Sequence, residues 1–326
     1  MNLTTLAALA GVSVSTVSKA FSGSVDISAE TREHVFRIAR ENGCFHKYDK
    51  HKFGKKVIAI LCPEMVSEYY AAMVEEFIRQ LRAHDTIVTV SATHFDKSIE
   101  SELYTYYSSY CKADGIILIS PRMKIENPNN VPTVALFASA TESNVDVISA
   151  DYENSMEKAI SHLRSLGHKK IGFAGERFTL SKMKNFKEAM QAEGLPINEK
   201  HVSVSNERFE KAGADIARQW HEAGEMPTAV VAAYDYIAIG LIRELRKKGY
   251  RVPEDVSVIG MDDISAASHL ETSLSSIRLS REEICGHAID LILKKINNQY
   301  YHSRQAITAA TTFVQRESTA TPPTDE

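Results

Sequence analysis

The first 22 residues constrain the fold most. Leu3 to Ala10 reads as a short helix stepped by apolar residues, Gly11-Val12-Ser13 as a turn, and Val14 to Phe21 as a second short helix. Gly11 suits this corner because a tight helix-to-helix turn needs a residue at positive φ. Ser13 can cap the second helix by accepting a hydrogen bond from its first free amides. The result is a helix-turn-helix, the shape that enters a DNA major groove. Leu6, Leu9, Val12 and Val17 are expected to make its small shared core. Val14, Ser15, Thr16, Ser18 and Lys19 are then left at the outer end of the second helix, short enough to approach base edges and phosphates closely. Two-helix corners of the same spacing also occur in enzymes that touch no nucleic acid, so the remainder of the chain has to decide.

At 326 residues the chain suits a small domain joined to larger ones. Its net charge of -4 hides an asymmetry: residues 1–56 hold nine Lys or Arg against five Asp or Glu, whereas the remainder holds 29 against 37. The basic part coincides with the helix-turn-helix, the charge distribution a DNA reader needs. The four cysteines are widely separated, with no C-x-x-C pair and no histidine at zinc-finger spacing. They read as free thiols of a reducing cytosol, with no metal site and no disulfide framework. No secretory leader is recognisable, and no run approaches the ~20 apolar residues that span a bilayer. These features place the chain in the cytoplasm, away from membranes.

A third helix is expected from about Ala29 to Asn42, capped by Ser28, stapled by Ile27 and stopped by Gly43. The polar, basic stretch that follows has no apolar period and reads as a linker. From Val57 short β-rich runs alternate with amphipathic helices: Val57 to Cys62, a helix near Ala71 to Ala83, Ile87 to Ser91, a helix near Ser98 to Cys111, Gly115 to Ser120 and Thr133 to Phe137. A second series follows, with strands Ile171 to Ala174, His201 to Val204, Ala229 to Ala233 and Val256 to Ile259 between helices near Ser155, Lys182, Gly213 and Ile237. Such alternation implies βαβ units, parallel sheets and two α/β lobes in tandem. Ligands of such sheets bind beyond the carboxyl ends of the strands. The expected organisation is a head over 1–45, a hinge linker over 46–56 and a core over 57–320. Within the core, the N-lobe takes about 57–150 and 279–308 and the C-lobe about 151–278 and 309–318. Residues 319–326, rich in Thr and Pro, read as a disordered tail.

Three motifs, in order, resemble the LacI/GalR family of transcriptional regulators: Leu9-Ala10-Gly11-Val12-Ser13-Val14-Ser15-Thr16-Val17-Ser18-Lys19, then Leu166-Gly167-His168-Lys169-Lys170-Ile171, then Val252-Pro253-Glu254-Asp255-Val256-Ser257-Val258-Ile259-Gly260-Met261-Asp262-Asp263. The likeness covers essentially the whole chain. It implies an all-α helix-turn-helix head on a two-lobed, periplasmic-binding-protein-like α/β core with parallel sheets. It further implies a homodimer that binds double-stranded operator DNA, represses transcription and senses a small-molecule effector, a sugar or sugar derivative first, without cofactor or metal. By the same resemblance Val14, Ser15 and Lys19 match base-reading positions, and Thr16 and Ser18 match positions that touch phosphate. Ser15 and Thr16 also suit plain helix capping. Lys19 stands where many members have arginine, and a lysine reaches guanine without the planar two-pronged fit.

The linker departs from the family pattern. His46-Lys47 replace Pro-Asn, Lys50 replaces an alanine, and Phe53 stands at the position of the leucine that wedges into the minor groove; phenylalanine is itself an intercalating residue type. For the effector, the resemblance points to Tyr69 or Tyr70 as an aromatic platform, and to Asp235 and Asp262 as acceptors for ligand hydroxyls. Lys182 and Arg122 would be cations for ligand oxygens, and together would suit a carboxylate or phosphate. Ordinary lobe packing is the other reading of either tyrosine, and a loop cap that of Asp262. Asp151, at the lobe crossover, is expected to fix the hinge. The rival from another class is a doubly wound α/β enzyme acting on a sugar or nucleotide. The chain has no G-x-G-x-x-G after its first strand, no Walker loop and no G-x-S-x-G elbow to support it.

Overall fold

The computed structural model describes residues 1–48, 55–111, 113–127, 129–138, 144–297 and 303–323, and the chain divides into two compact units, 1–56 and 57–326. Phe53, the expected wedge, lies outside the described residues.

In the first unit α1 (Leu3–Ala10) and α2 (Val14–Phe21) meet at 101°, within the range of DNA-reading helix pairs. Gly11 ends α1 at φ 62°, and Ser13 Oγ accepts from Thr16 N at 3.0 Å. The third helix, α3 (Ala29–Glu41), is capped in the same way by Ser28, which accepts from Thr31 N at 3.1 Å. Leu6, Ala7, Ala10, Val17, Phe21, Val35 and Ala39 form the core. Leu9, expected inside, is 51% exposed. Leu6, Ala7 and Ala10 share one stripe, and Leu9 falls on its flank; in a helix this short an i+3 step and an i+4 step cannot be told apart by sequence. One helical turn, α4 (Phe45–Tyr48), follows where irregular linker was expected. Its Phe45 ring packs edge-on against Phe36 at 5.1 Å, which draws it into the head's core.

The second unit runs β1 (Lys56–Cys62), α5 (Glu68–Arg82), β2 (Thr86–Ala92), α6 (Lys97–Thr105), β3 (Gly115–Ile119), β4 (Thr133–Leu136), β5 (Asp146–Ala150), α7 (Tyr152–Ser165), β6 (Ile171–Glu176) and α8 (Leu180–Ala192). It continues with β7 (Val202–Ser205), α9 (Phe209–Ala223), β8 (Ala229–Ala232), α10 (Asp235–Lys247), β9 (Ser257–Met261), α11 (Ser265–Ser268), β10 (Ser275–Leu279), α12 (Arg281–Asn297), β11 (Ala306–Ala309) and β12 (Thr311–Val314). Among the described residues these strands form two six-stranded sheets, in the orders β11-β5-β4-β3-β1-β2 and β12-β10-β9-β8-β6-β7. The central strands β3, β4, β8 and β9 are buried along their whole length, as continuous apolar runs flanked by helices on both faces must be. One edge departs from the parallel pattern: β12 pairs antiparallel with β10. Among the described elements the chain crosses between the sheets three times, from β5 to α7, from β10 to α12 and from β11 to β12.

Helices start earlier than their apolar period suggests, α5 at Glu68 because Ser67 caps it and α9 at Phe209. The helix expected to reach Cys111 ends as an α-helix at Thr105 and passes into a π turn, Tyr106–Tyr110. The reading of 319–326 as a disordered tail is corrected for its described part. Ala320 O pairs with the buried His168 Nε2 at 2.8 Å, Ala320 N donates to Ser257 Oγ at 3.0 Å, and Thr319 Oγ1 meets His162 Nε2 at 3.0 Å. A composition-based reading misses this because the tail contributes backbone groups, not apolar side chains, to satisfying polar atoms that other segments have buried.

Candidate functional site

The carboxyl ends of the parallel strands in both lobes converge on a cavity of about 520 Å³. The loops that form it carry backbone strain. Phe95 (φ 59°), Ser120 (φ 49°), Phe137 (φ 60°), Phe209 (φ 56°) and Asp262 (φ 98°) all line it with non-glycine residues in the left-handed region. Conformations of this kind cost free energy and collect where the surroundings impose a functional geometry.

On the cavity floor Asp262 follows β9. Burial pushes its carboxyl up to about 6, against the pull of Lys182. Lys182, in the first turn of α8, donates to Ala233 O at 2.8 Å and stands 3.9 Å from Asp262 Oδ1, with its ammonium 4.9 Å from the centre of the Tyr152 ring. The Tyr152 and Tyr69 hydroxyls meet at 3.4 Å across the lobes, and Tyr70 donates to Ser120 Oγ at 3.3 Å. Burial raises all three phenols above the ordinary tyrosine value, so they remain neutral hydrogen-bonding groups at any physiological pH. The Ser67 cap fixes the start of α5 and thereby sets Tyr69 and Tyr70 side by side, ring centres 5.1 Å apart and edge to face.

Tyr69, Tyr70, Arg122, Lys182 and Asp262 therefore line one cavity. Asp235 does not, and the expectation that it binds effector is corrected. It opens α10 and is 1% exposed. Its carboxylate accepts from Ser276 Oγ at 2.7 Å and Ile264 N at 2.8 Å, so both oxygens are spent on tying α10 to the loop after β9 and to β10. Gly260 makes room for it, since a Cβ there would stand 2.0 Å from Asp235 Oδ1. Arg122 is exposed. Its backbone N donates to Glu100 Oε2 at 2.8 Å, and its guanidinium lies 4.9 Å from the Phe178 ring centre. Lys182 is engaged with Ala233 and Asp262 instead, so the structure gives the two cations separate settings and not a shared clamp. Asp151 accepts from Asn154 N at 3.2 Å and caps α7 at the first crossover.

Several cavity residues are not marked by the sequence reading: Glu64, Phe95, Tyr152, Phe178 and Arg208. Glu64 and Arg208 face each other across the lobes, with Arg208 Nη1 and Nη2 donating to Glu64 Oε2 and Oε1 at 2.7 and 3.1 Å. Phe95, Phe178 and Arg208 lie within a few residues of the ends of β2, β6 and β7, where the strand-end rule directs attention.

On the head, Val14, Ser15 and Ser18 are exposed. Thr16 Oγ1 lies 2.8 Å from Ser13 Oγ and takes part in the cap, while Lys19 Nζ pairs with Asp26 at 3.2 Å. That ion pair is open to solvent and therefore weak, so Lys19 is readily released to another acceptor.

Residues 2–44 match the family described as bacterial regulatory proteins, lacI family, and residues 160–319 match the periplasmic binding protein-like domain. Catabolite control protein A of Priestia megaterium is 25% identical over 306 residues, covering 89% of this chain and 91% of that protein. The HTH-type transcriptional repressor CytR of Escherichia coli is 25% identical over 329 residues, covering 96% and 95%. Among solved structures, a complex of the transcriptional regulator CelR with cellobiose superposes with a TM-score of 0.71 at 25% identity, covering 98% of this chain and 99% of that one. With a capped helix-turn-helix in its first unit, two parallel-sheet lobes around a cavity in its second, and relatives aligned along nearly its full length, this chain belongs to the LacI family of DNA-binding transcriptional regulators.

Proposed function

We propose that the chain is a cytoplasmic homodimeric repressor whose operator affinity is set by a sugar or sugar derivative bound between the lobes. The observation that carries the effector class is the cavity floor. A largely buried carboxylate (Asp262), an ammonium that balances it (Lys182) and neutral tyrosine hydroxyls surround a space with aromatic walls. Carboxylate and phenol oxygens accept from and donate to ring hydroxyls, while aromatic faces cover the apolar C–H faces of a pyranose. The cellobiose complex of a structural neighbour supports the same class. Tyr69, Tyr70, Lys182 and Asp262 are the proposed effector contacts, with Arg122 at the rim.

On DNA, Val14, Ser15 and Lys19 are the proposed base readers, Thr16 and Ser18 the phosphate contacts, and Phe53 the minor-groove wedge. Effector binding would change the angle between N-lobes across the dimer and so the spacing of heads that must sit ~34 Å apart in successive major grooves. A thermal-shift screen of sugars, sugar phosphates and nucleobases, followed by gel shift on the DNA flanking the chain's own gene, tests the proposal. A sugar that both stabilises the protein and alters the shift supports it; stabilisation by a nucleobase alone, or steady consumption of a sugar, overturns it. Phe53→Ala should reduce operator affinity and bending, and unchanged binding would remove the wedge.

A further inference from the structure

Along one side of the cavity the lobes hold each other directly. Glu64, which follows β1 in the N-lobe, is 8% exposed and accepts two guanidinium hydrogen bonds from Arg208, which follows β7 in the C-lobe. Beside this pair Phe95 of the N-lobe stacks on Phe178 of the C-lobe, ring centres 4.5 Å apart and planes inclined by 15°. The Arg208 guanidinium lies 4.9 Å from the Phe95 ring centre and 5.4 Å from that of Phe178, so one cation serves both halves of the contact. Further along, Glu68 on α5 accepts from Ser265 N at 2.7 Å and Ser265 Oγ at 2.9 Å. Phe95 and Phe209, the neighbour of Arg208, are held at φ 59° and 56°, conformations that bulky side chains adopt only under constraint.

We propose that Glu64, Arg208, Phe95 and Phe178 form a gate that locks the lobes together over the cavity, so that an effector enters and leaves only when this cluster parts. A bidentate carboxylate–guanidinium pair that is largely removed from water is strong and geometrically selective, and a stacked aromatic pair adjoining it keeps water out. The four side chains come two from each lobe, so they cannot be satisfied together unless the lobes are closed. The gate belongs to the same cavity as the sugar proposal. Its test uses the protein without effector, so a wrong sugar assignment and a wrong gate give different results.

The experiment is hydrogen exchange on the intact chain carrying Glu64→Gln, Phe178→Ala, Arg208→Gln, or the Glu64→Gln, Arg208→Gln double substitution. In each single variant, exchange in 64–70, 94–96, 177–182 and 206–210 should rise at least tenfold, including on the lobe opposite the substitution. Amides of β1 and β6 should keep their protection. The double variant should resemble its single parents, because the pair acts as a unit. Faster exchange confined to the substituted lobe, or additive effects in the double variant, overturns the gate. Glu64→Gln preserves shape and decides the matter alone if Phe178→Ala does not fold.

Discussion

Helices α9 and α10 touch backbone to backbone through two glycines, and this contact reverses the usual expectation for replacing a helical glycine. In an exposed helix Gly→Ala is favourable by about 1 kcal/mol, because glycine loses more backbone freedom on folding. At Gly240 of α10 a Cβ would stand 2.0 Å from Glu210 O, and at Gly213 of α9 it would stand 1.9 Å from Ile237 O. An ordinary carbon–oxygen contact of about 3.3 Å would require the helices to part by roughly 1.3 Å. Ala212, Ile216, Ile237 and Leu241, all fully buried, pack at this junction and would be pulled off one another. Overpacking of this kind costs about 1–3 kcal/mol and occasionally more. A backbone clash this close belongs at the upper end of that range, so Gly240→Ala is expected to destabilise the core by about 2 kcal/mol net of the helix-propensity gain, lowering its melting point by about 4–8 °C. Gly286 on α12 is the control. Its nearest neighbour to a new Cβ is Gln80 Oε1 at 3.6 Å, an ordinary contact, so Gly286→Ala should be neutral or stabilising by up to about 1 kcal/mol. Urea unfolding followed by circular dichroism measures both. A Gly240→Ala protein as stable as the parent, alongside a stabilised Gly286→Ala, would refute the close-approach argument.

Ser13→Ala removes the cap of α2 and should cost the head about 1 kcal/mol, seen as roughly fivefold faster amide exchange across Val14–Phe21, whereas Ser13→Asp should preserve protection. Burial raises the Asp262 carboxyl from its ordinary value to about 6; the native state then binds more protons than the unfolded state between about pH 4 and 6, and stability falls as pH rises through that window. The stability difference between Asp262→Asn and the parent should therefore grow in the variant's favour from pH 4 to pH 7 in urea titrations, and a difference that ignores pH would count against the buried carboxyl. Truncation after Ser318 takes Ala320 O away from the buried His168 and should lower core stability by about 2 kcal/mol, the cost of an underpaired buried polar group; an unchanged urea midpoint would mean that the tail contributes nothing.

What was legible in the sequence is what neighbouring residues decide among themselves. Gly11, Ser13 and Ser28 act within three or four residues, and the head's helices and caps follow from them. The alternation of apolar runs with amphipathic stretches likewise gives the sheet-and-helix order, and the strand-end rule leads to the cavity. Asp235 shows where such reasoning stops. A carboxylate at a strand end reads the same whether it faces a ligand or the core, and its true partners, Ile264 and Ser276, lie 29 and 41 residues away. The absence of a side chain at Gly260 was the one local trace of its position. The antiparallel β10–β12 edge and the pinned tail are set by pairings of the same kind, between segments whose own composition says nothing about each other.

The triple crossing between the sheets has a consequence for how the chain is made. Neither lobe is a continuous stretch of polypeptide: the first sheet takes its edge strand from Ala306–Ala309, and the second takes its own from Thr311–Val314. During synthesis the head is complete once residue 48 has left the ribosome, but both lobes wait for nearly the last residues translated. At about 5–20 residues per second that interval is roughly 13–50 s, during which a finished DNA reader trails an unfinished sensor. Nascent chains in this state would carry a head with no means of responding to effector, and a chain cut short anywhere before Val314 would lack an edge strand of at least one sheet.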